Sequence, residues 1–432
     1  MTRRFPHWMF VLAVLAVLAA ALPVSASAAD RAAAPGASAF TVEDLFDQLA
    51  VHDLRLTMKA EDWATLQAHY LEDTYYRADM QWRGQVVPIV GVRSRGSGSR
   101  NPYKPGLKID FARYLDQKFV GLKSVVLANA IQDPAMLKQR VSMLMFARMG
   151  MPAPRVTHVR VFVNDAYLGL YMLIEPIDKT FLARVFGTDA DGKPENGGYL
   201  YEYAWKDAYQ WDYLGSDAQI YADLFEPKTR ETDAPSSLYG QLDDFFRTFN
   251  EVRDSDFEAA VGEFLDLQTF VRYLAVENFI AERDGFLGYW GPNNFYLYRF
   301  QGRKQMQWIA WDKDLAFWAA DYDIFQGVED NVLARRALAI PALRRTYLET
   351  LLACAATAMA PVSPDSPAGW LEAEVEKETA QIHASGFEDT LKRFTNERFD
   401  DELQKVLAFA RTRGTFVVKE AQKALVENWQ FR

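Results

Sequence analysis

Apolar and polar positions alternate through the runs VHDLRLTM, YRADMQW and QVVPIVGVRS, which start at Val51 and are separated by polar turns such as Arg83-Gly84. Alternation of period two bounded by turn residues predicts extended strands, and AEDWATLQAHY between them predicts one helix. A loop rich in glycine and serine, RSRGSGSRNPYKPG, then interrupts the pattern ahead of a short strand at Leu107 to Phe111. Asp133 followed by Pro134 reads as a helix N-cap and first helical position, with Leu137, Val141, Leu144 and Met145 on one face and Gly150 at the end. Two apolar runs around Asn164-Asp165 predict a hairpin.

Beyond Phe181 the pattern weakens. Residues 181–233 hold many Tyr, Asp and Gly at no clear period, which predicts loops with one short strand at GGYLYEY. From Ser236 a helical period takes over, clearest in DLQTFVRYLAVENFIAE, where Leu267, Phe270, Val271 and Leu274 share a face. The chain after Val328 is helical too, with charged faces. One hairpin breaks into this half: NFYLYRF, a turn at Gln301 to Lys304, and QMQWIAW. Strands before about residue 235 and helices after it predict an α+β protein with two lobes. A cleft between lobes is the default place for a ligand.

The N-terminus changes the expected compartment. MTRRF, the apolar run WMFVLAVLAVLAAAL and the small residues ASAA predict a cleaved signal peptide over 1–28. An Ala, Pro and Gly rich disordered leader follows over 29–39. The alternative, an uncleaved anchor, is disfavoured because the apolar run is short for a bilayer span of roughly 20 residues and a cleavage-like site follows it at once; no later stretch is apolar enough to cross. The mature chain is therefore expected to be secreted or held in the cell envelope, without a transmembrane segment. A net charge of -10 with a pI of about 5.2 argues against nucleic acid as a partner. The single cysteine, Cys354, can form no internal disulfide and lies in the apolar LLACAATAMA, which predicts burial. His52, His69, His158 and His383 show no zinc-like spacing, and no Gly-x-Ser-x-Gly is present.

The interrupting hairpin carries the candidate chemistry. Phosphoryl transfer needs cations on the phosphates and a carboxylate near the attacking hydroxyl, with little covalent help. In protein kinases a helix delivers that Asp, an Asn follows in the same loop, and a metal-binding Asp ends the next hairpin. Asp284, Asn294 and Asp312 stand in this order, and a hairpin returns its far end beside its near end. The Asp284 to Asn294 spacing is wider than in the kinase loop, and WDKD stands where Asp-Phe-Gly would.

The runs VGVRSRGSGS, GLKIDF, NAIQDPAMLKQRV, VRVFVNDAYLGLYMLIEPID, GGYLYEY, RDGFLGYWGPNNFYLY and WIAWDKDLAF resemble, in this order, the spore coat protein H (CotH) kinase family. The resemblance covers roughly Val51 to Trp318. It implies a diverged two-lobed protein-kinase-like fold and an atypical secreted kinase that transfers phosphate from ATP to Ser or Thr of a protein substrate. Carried across, it makes Asp284 the catalytic carboxylate, assigns Asn294 and Asp312 to Mg²⁺ or Mn²⁺, and offers Asp314 as a second metal contact. Lys108 becomes the candidate phosphate-pairing cation with Lys104 as its rival, while Arg95, Gly96 and Ser99 lie in a loop over the phosphates. LIEPID offers main chain to the adenine as a hinge. The helix after the lysine contains no Glu to orient it, so Glu175 is the candidate in its place. The kinase-like domain is expected over 40–330, its β-rich lobe ending near 178, with 331–432 a helical C-terminal extension of the same domain. Two other functions stay open: a noncatalytic binding or surface-assembly module of the cell envelope or spore coat, and a metal-dependent phosphohydrolase. The first is suggested by the missing helix Glu and by the aromatic segment YAWKDAYQWDYLGSDAQIYADLF.

Overall fold

The computed structural model describes residues 40–427, so the expected signal peptide and leader lie outside the described residues. After α1 (Val42–Leu45), the alternating runs form β1 (His52–Met58), β2 (Tyr76–Trp82) and β3 (Gln85–Arg95), with α2 (Ala60–Ala68) between the first two. These strands pair antiparallel, and β4 (Gly106–Asp110), β5 (Ser124–Ala128), β6 (Val156–Val163) and β7 (Ala166–Ile174) extend the sheet. A parallel pairing of β6 with β1 closes a barrel in the order β1-β2-β3-β4-β5-β7-β6. Leu54, Trp82, Val92, Ile109, Leu127 and Tyr171 are fully buried in this half. Strand β5 does not show in the sequence pattern because SVVLA is short and continuously apolar, with no alternation to read.

Helix α3 (Lys138–Arg148) starts four residues after Pro134, a correction to the expected start. The Asp133 carboxylate is fully buried and accepts from the main-chain N–H of Ala135 at 2.9 Å and of Lys138 at 2.8 Å. It therefore caps a turn ahead of the helix, where Met136 takes a left-handed φ of 56° that interrupts helical geometry.

A second sheet has the order β11-β10-β8-β9, built from β8 (Tyr199–Tyr203), β9 (Phe225–Pro227), β10 (Phe295–Arg299) and β11 (Met306–Ala310). The hairpin β10–β11 is the expected one, with Phe295 opposite Ala310. The region expected as loops also holds α4 (Lys179–Phe186), α5 (Ala218–Leu224) and β9. These pieces are too short to show a period, and β9 exists through pairing, with Glu226 opposite Glu202 and Glu202 opposite Tyr296. The aromatic segment there is mostly core: Trp211 is fully buried and meets Phe246 and Phe286 at 4.8 Å between ring centroids. Trp205 of the same segment stays half exposed.

The remaining helices are α6 (Pro235–Glu251), α7 (Phe257–Gly262), α8 (Leu267–Phe279), α9 (Val332–Ala339), α10 (Pro341–Met359), α11 (Trp370–Glu388) and α12 (Asn396–Val426). Asp266 caps α8 by accepting from Gln268 and Thr269 N–H groups. Cys354 is buried in α10. Buried charges fasten the last helices to the barrel and to α3: Arg140 meets Glu378 at 3.1 Å, Lys138 meets Glu402 at 3.0 Å, and Lys104 meets Asp389 at 2.6 Å. Arg413 of α12 is wholly buried and donates to the carbonyls of Asn278, Phe279, Ala320 and Tyr322. It thereby holds the end of α8 and the segment after Asp314 in place. Among the described residues no helix is long and apolar enough to cross a membrane.

Candidate active site

The pairing of Phe295 with Ala310 brings Asn294 and the residues after Ala310 to the same end of the β10–β11 hairpin. Asn294 and Asp312 both take left-handed backbone, with φ of 57° and 46°. Asn and Asp tolerate that region better than most residues, and such conformations gather at functional sites. Asp284 follows α8 and is held by two amides: its Oδ1 accepts from Asn293 Nδ2 at 3.2 Å and its Oδ2 from Asn294 Nδ2 at 3.0 Å. Asn294 Nδ2 also donates to the Asp284 carbonyl at 2.9 Å, which locks the loop to the hairpin. Burial raises the Asp284 carboxyl above its ordinary value, opposed by the two amides and by Lys313.

Asp284, Asp312 and Asp314 line one cavity of about 700 Å³, together with Arg95, Gly96 and Ser99. Burial pushes the Asp312 carboxyl up against the pull of Arg95. Asp314 is raised well above the usual carboxylate range by burial and then by Asp312. Among the described residues neither acid has a hydrogen bond or an ion pair. Two unpartnered, mutually repelling carboxylates fit a cation. No three His, Cys, Asp or Glu side chains among the described residues group as a metal site. A divalent ion would therefore draw on Asp312, Asp314 and the Asn294 amide oxygen, leaving other positions to substrate oxygens and water, as Mg²⁺ commonly does.

Four residues that hold these acids in place escape sequence reasoning. Lys313, between the two acids, turns inward: its Nζ bonds Glu277 Oε1 of α8 at 2.7 Å and the Asn294 carbonyl at 2.8 Å. Glu277 Oε2 accepts from Leu287 N–H at 3.1 Å, and a Cβ on Gly285 would fall 2.4 Å from the Glu277 carboxylate, so RDGF requires its glycine. Glu282 Oε1 accepts from Asp284 N–H at 2.8 Å, and burial pushes its carboxyl up to about 8. Gln139 of α3 is 1% exposed, and its Oε1 accepts from Lys313 N–H. Among the described residues its Nε2 has no hydrogen-bond partner, and the residue borders a small pocket of about 20 Å³ shared with Arg95, Asp312 and Asp314. WDKD shows a lysine between the two acids but not its inward turn, and Gln139 lacks the charge that marks an orienting Glu.

Strand register arranges the opposite wall. Arg93, Lys108 and Val126 stand in one row across β3, β4 and β5, with Arg95 and Gly106 in the next row of the same outer face. The Arg95 guanidinium lies 5.6 Å from the Trp311 ring and is the strongest attraction felt by Asp312. Gly96 has φ of 115°, and a Cβ there would meet Ser99 Oγ at 2.6 Å, so the turn after Arg95 needs glycine. Lys108 is brought to a second cavity of about 460 Å³, bordered by Val126 and by Pro176, Ile177 and Asp178 of LIEPID. Burial and then Arg93 lower its pKa.

Two candidates are placed elsewhere. Lys104 is wholly buried, with Nζ on Asp389 Oδ2 at 2.6 Å and on the Leu170 carbonyl at 2.9 Å, so it serves the fold rather than the cavity. Glu175 does not orient Lys108. Its Oε1 accepts from Arg184 Nε at 3.0 Å, and its Oε2 accepts from Arg184 Nη2 at 2.6 Å and from Arg155 N–H at 3.0 Å.

A family sequence model described as CotH kinase protein matches residues 92–417. The chain belongs to the CotH kinase protein family. The match runs from β3 into α12, so the C-terminal helices, in which no motif is legible, fall within the family domain. Inner spore coat protein H of Bacillus subtilis (strain 168) is 24% identical over 341 residues, covering 76% of this chain and 86% of that protein. Invasin CotH3 of Rhizopus delemar is 27% identical over 189 residues, covering 42% of this chain and 29% of the invasin. Among solved structures, the Helicobacter pylori proinflammatory kinase CtkA aligns with 74% of this chain and 94% of its own at 9% identity, with a TM-score of 0.27. As a CotH family member the protein is kinase-like, and its fold is α+β, β-rich in the N-terminal part and helical in the C-terminal part.

Proposed function

We propose that this CotH family protein is an exported kinase that transfers the γ-phosphate of ATP to Ser or Thr of a protein substrate with the help of Mg²⁺ or Mn²⁺. The observation that carries this reading is the meeting of Asp284, Asp312 and Asp314 with Arg95 and the glycine loop in one cavity. In this reading ATP lies with its base in the cavity beside Pro176, Ile177 and Lys108 and its phosphates toward Arg95 and the backbone of Gly96 to Ser99. Arg95 takes the phosphate-pairing role, because among the described residues it has no ion pair and it faces the acids. Asp284, oriented by Asn293 and Asn294, accepts the proton of the acceptor hydroxyl as its oxygen bonds to the γ-phosphorus and the bond to the leaving ADP oxygen breaks. Held by Asp312, Asp314 and Asn294, the metal ion would neutralise charge on the phosphates. The basic and apolar N-terminus supports export, as do relatives named for a spore coat and an invasin.

Transfer from radiolabelled ATP with Mg²⁺ or Mn²⁺, compared among the mature protein, Asp284→Ala and Asp312→Ala, tests this. Incorporation into protein that is lost in both variants is the expected result. No incorporation and no nucleotide binding would favour a noncatalytic assembly module. Steady phosphate release without a phosphoprotein would favour a phosphohydrolase.

A further inference from the structure

The phosphate-side cavity and the hinge-side cavity share part of their lining: Arg93, Arg95, Glu202, Lys228 and Trp311 border both. In a nucleoside triphosphate the sugar joins base to phosphates. A nucleotide with its phosphates in the first cavity and its base in the second must therefore set its ribose at the residues common to both. Of those, Glu202 alone is an acid, and an ionised carboxylate accepts hydrogen bonds without donating any.

Glu202 is firmly mounted. It stands on β8 between Tyr296 of β10 and Glu226 of β9. Lys228 Nζ bonds its Oε2 at 2.7 Å and Glu226 Oε1 at 2.6 Å. One lysine thus serves two acids, and Arg95 adds its attraction to Glu202 and helps to keep it ionised. A carboxylate beside a polyanion is unfavourable unless it meets donors, and the sugar hydroxyls are the donors a nucleotide presents at that point. The Tyr296 hydroxyl also donates to this carboxylate; a carboxylate has about four acceptor positions, so Lys228 and Tyr296 together leave room for both hydroxyls of a vicinal diol.

We infer that Glu202 reads the sugar: its carboxylate accepts from the 2′- and 3′-hydroxyls of ATP and makes the site selective for ribonucleoside over deoxyribonucleoside triphosphates. This rests on the nucleotide reading above and adds a specificity-determining residue to it.

Binding of ATP and of 2′-deoxy-ATP to the full mature chain, each with Mg²⁺, tests the inference by titration calorimetry. The wild type should hold ATP about tenfold more tightly, the worth of a charge-assisted hydrogen bond. In Glu202→Gln, which keeps the shape of the side chain, ATP should fall to the affinity of the deoxy analogue. Equal wild-type affinities would overturn the inference and need no variant to do so. Discrimination that survives in a folded Glu202→Gln protein would overturn it too. Those outcomes leave the kinase reading standing, whereas failure to bind either nucleotide would remove both.

Discussion

On one wall of the cleft the outer face of β3 and β4 projects Arg93, Arg95 and Lys108; on the other, the β10–β11 hairpin and its neighbours project Asp284, Asp312, Asp314 and Glu202. The cationic wall is set by strand register, where every second residue falls on one face. The acidic wall depends on left-handed backbone at Asn294 and Asp312 and on the buried Lys313, Glu277 and Gln139 behind it. Regular structure suffices to present long basic side chains to a cleft. Bringing acids together against their repulsion takes irregular backbone and buried support. Neither wall alone is suited to a metal triphosphate, since one lacks cation ligands and the other repels phosphate.

The largest break in this contrast should come from Asp312→Ala. Phosphate transfer should fall by roughly a thousandfold, in line with the loss of a group that stabilises transition-state charge. Thermal stability should hold or rise, because the repulsion that raises Asp314 is relieved. Next come two lysines four residues apart. Lys104→Met should lower unfolding free energy by about 3–5 kcal/mol by stranding Asp389 and leave nucleotide affinity intact. Lys108→Met should do the reverse, with near-native urea unfolding and weaker nucleotide binding. Arg95→Ala should weaken ATP binding about tenfold or more, the worth of a hydrogen bond between charged groups. Arg95→Lys should recover only part of that loss, because a planar two-pronged donor is replaced by a point charge.

The smallest effect concerns pH. Burial pushes the Glu282 carboxyl up to about 8 in the folded chain against an ordinary 4.5, so folding takes up a proton between those values. Its contribution to stability therefore falls as pH rises from 4.5 to 8 and is constant outside that window. Glu282→Gln removes this slope, and its melting temperature should drop less than the wild type's from pH 5 to pH 8. His158 is held neutral by burial and by Arg140, with a pKa of about 3 against 6.5, and slopes the opposite way below pH 6.5. That slope is common to both proteins and cancels in the comparison.

The sequence pattern carries β1 to β3, the two hairpins and α8, since each alternates or repeats over enough residues to declare its face. It does not carry β5 or β9, which are short and defined by their pairing partners. The order of Asp284, Asn294 and Asp312 is legible because a hairpin is a local structure. Lys104 and Lys108 are indistinguishable in a single loop and strand, because what separates them is Asp389, 285 positions away. Gln139 is hidden for the same reason, its partner Lys313 lying 174 positions on.

The claim that the acidic wall needs a cation before it can face a triphosphate is tested most directly by measuring ATP affinity with and without Mn²⁺, in the wild type and in Asp312→Ala. The divided cleft predicts that Mn²⁺ strengthens ATP binding by at least tenfold in the wild type, and that this gain disappears in the variant. ATP binding that ignores Mn²⁺ in the wild type, or a gain that survives the loss of Asp312, would contradict it.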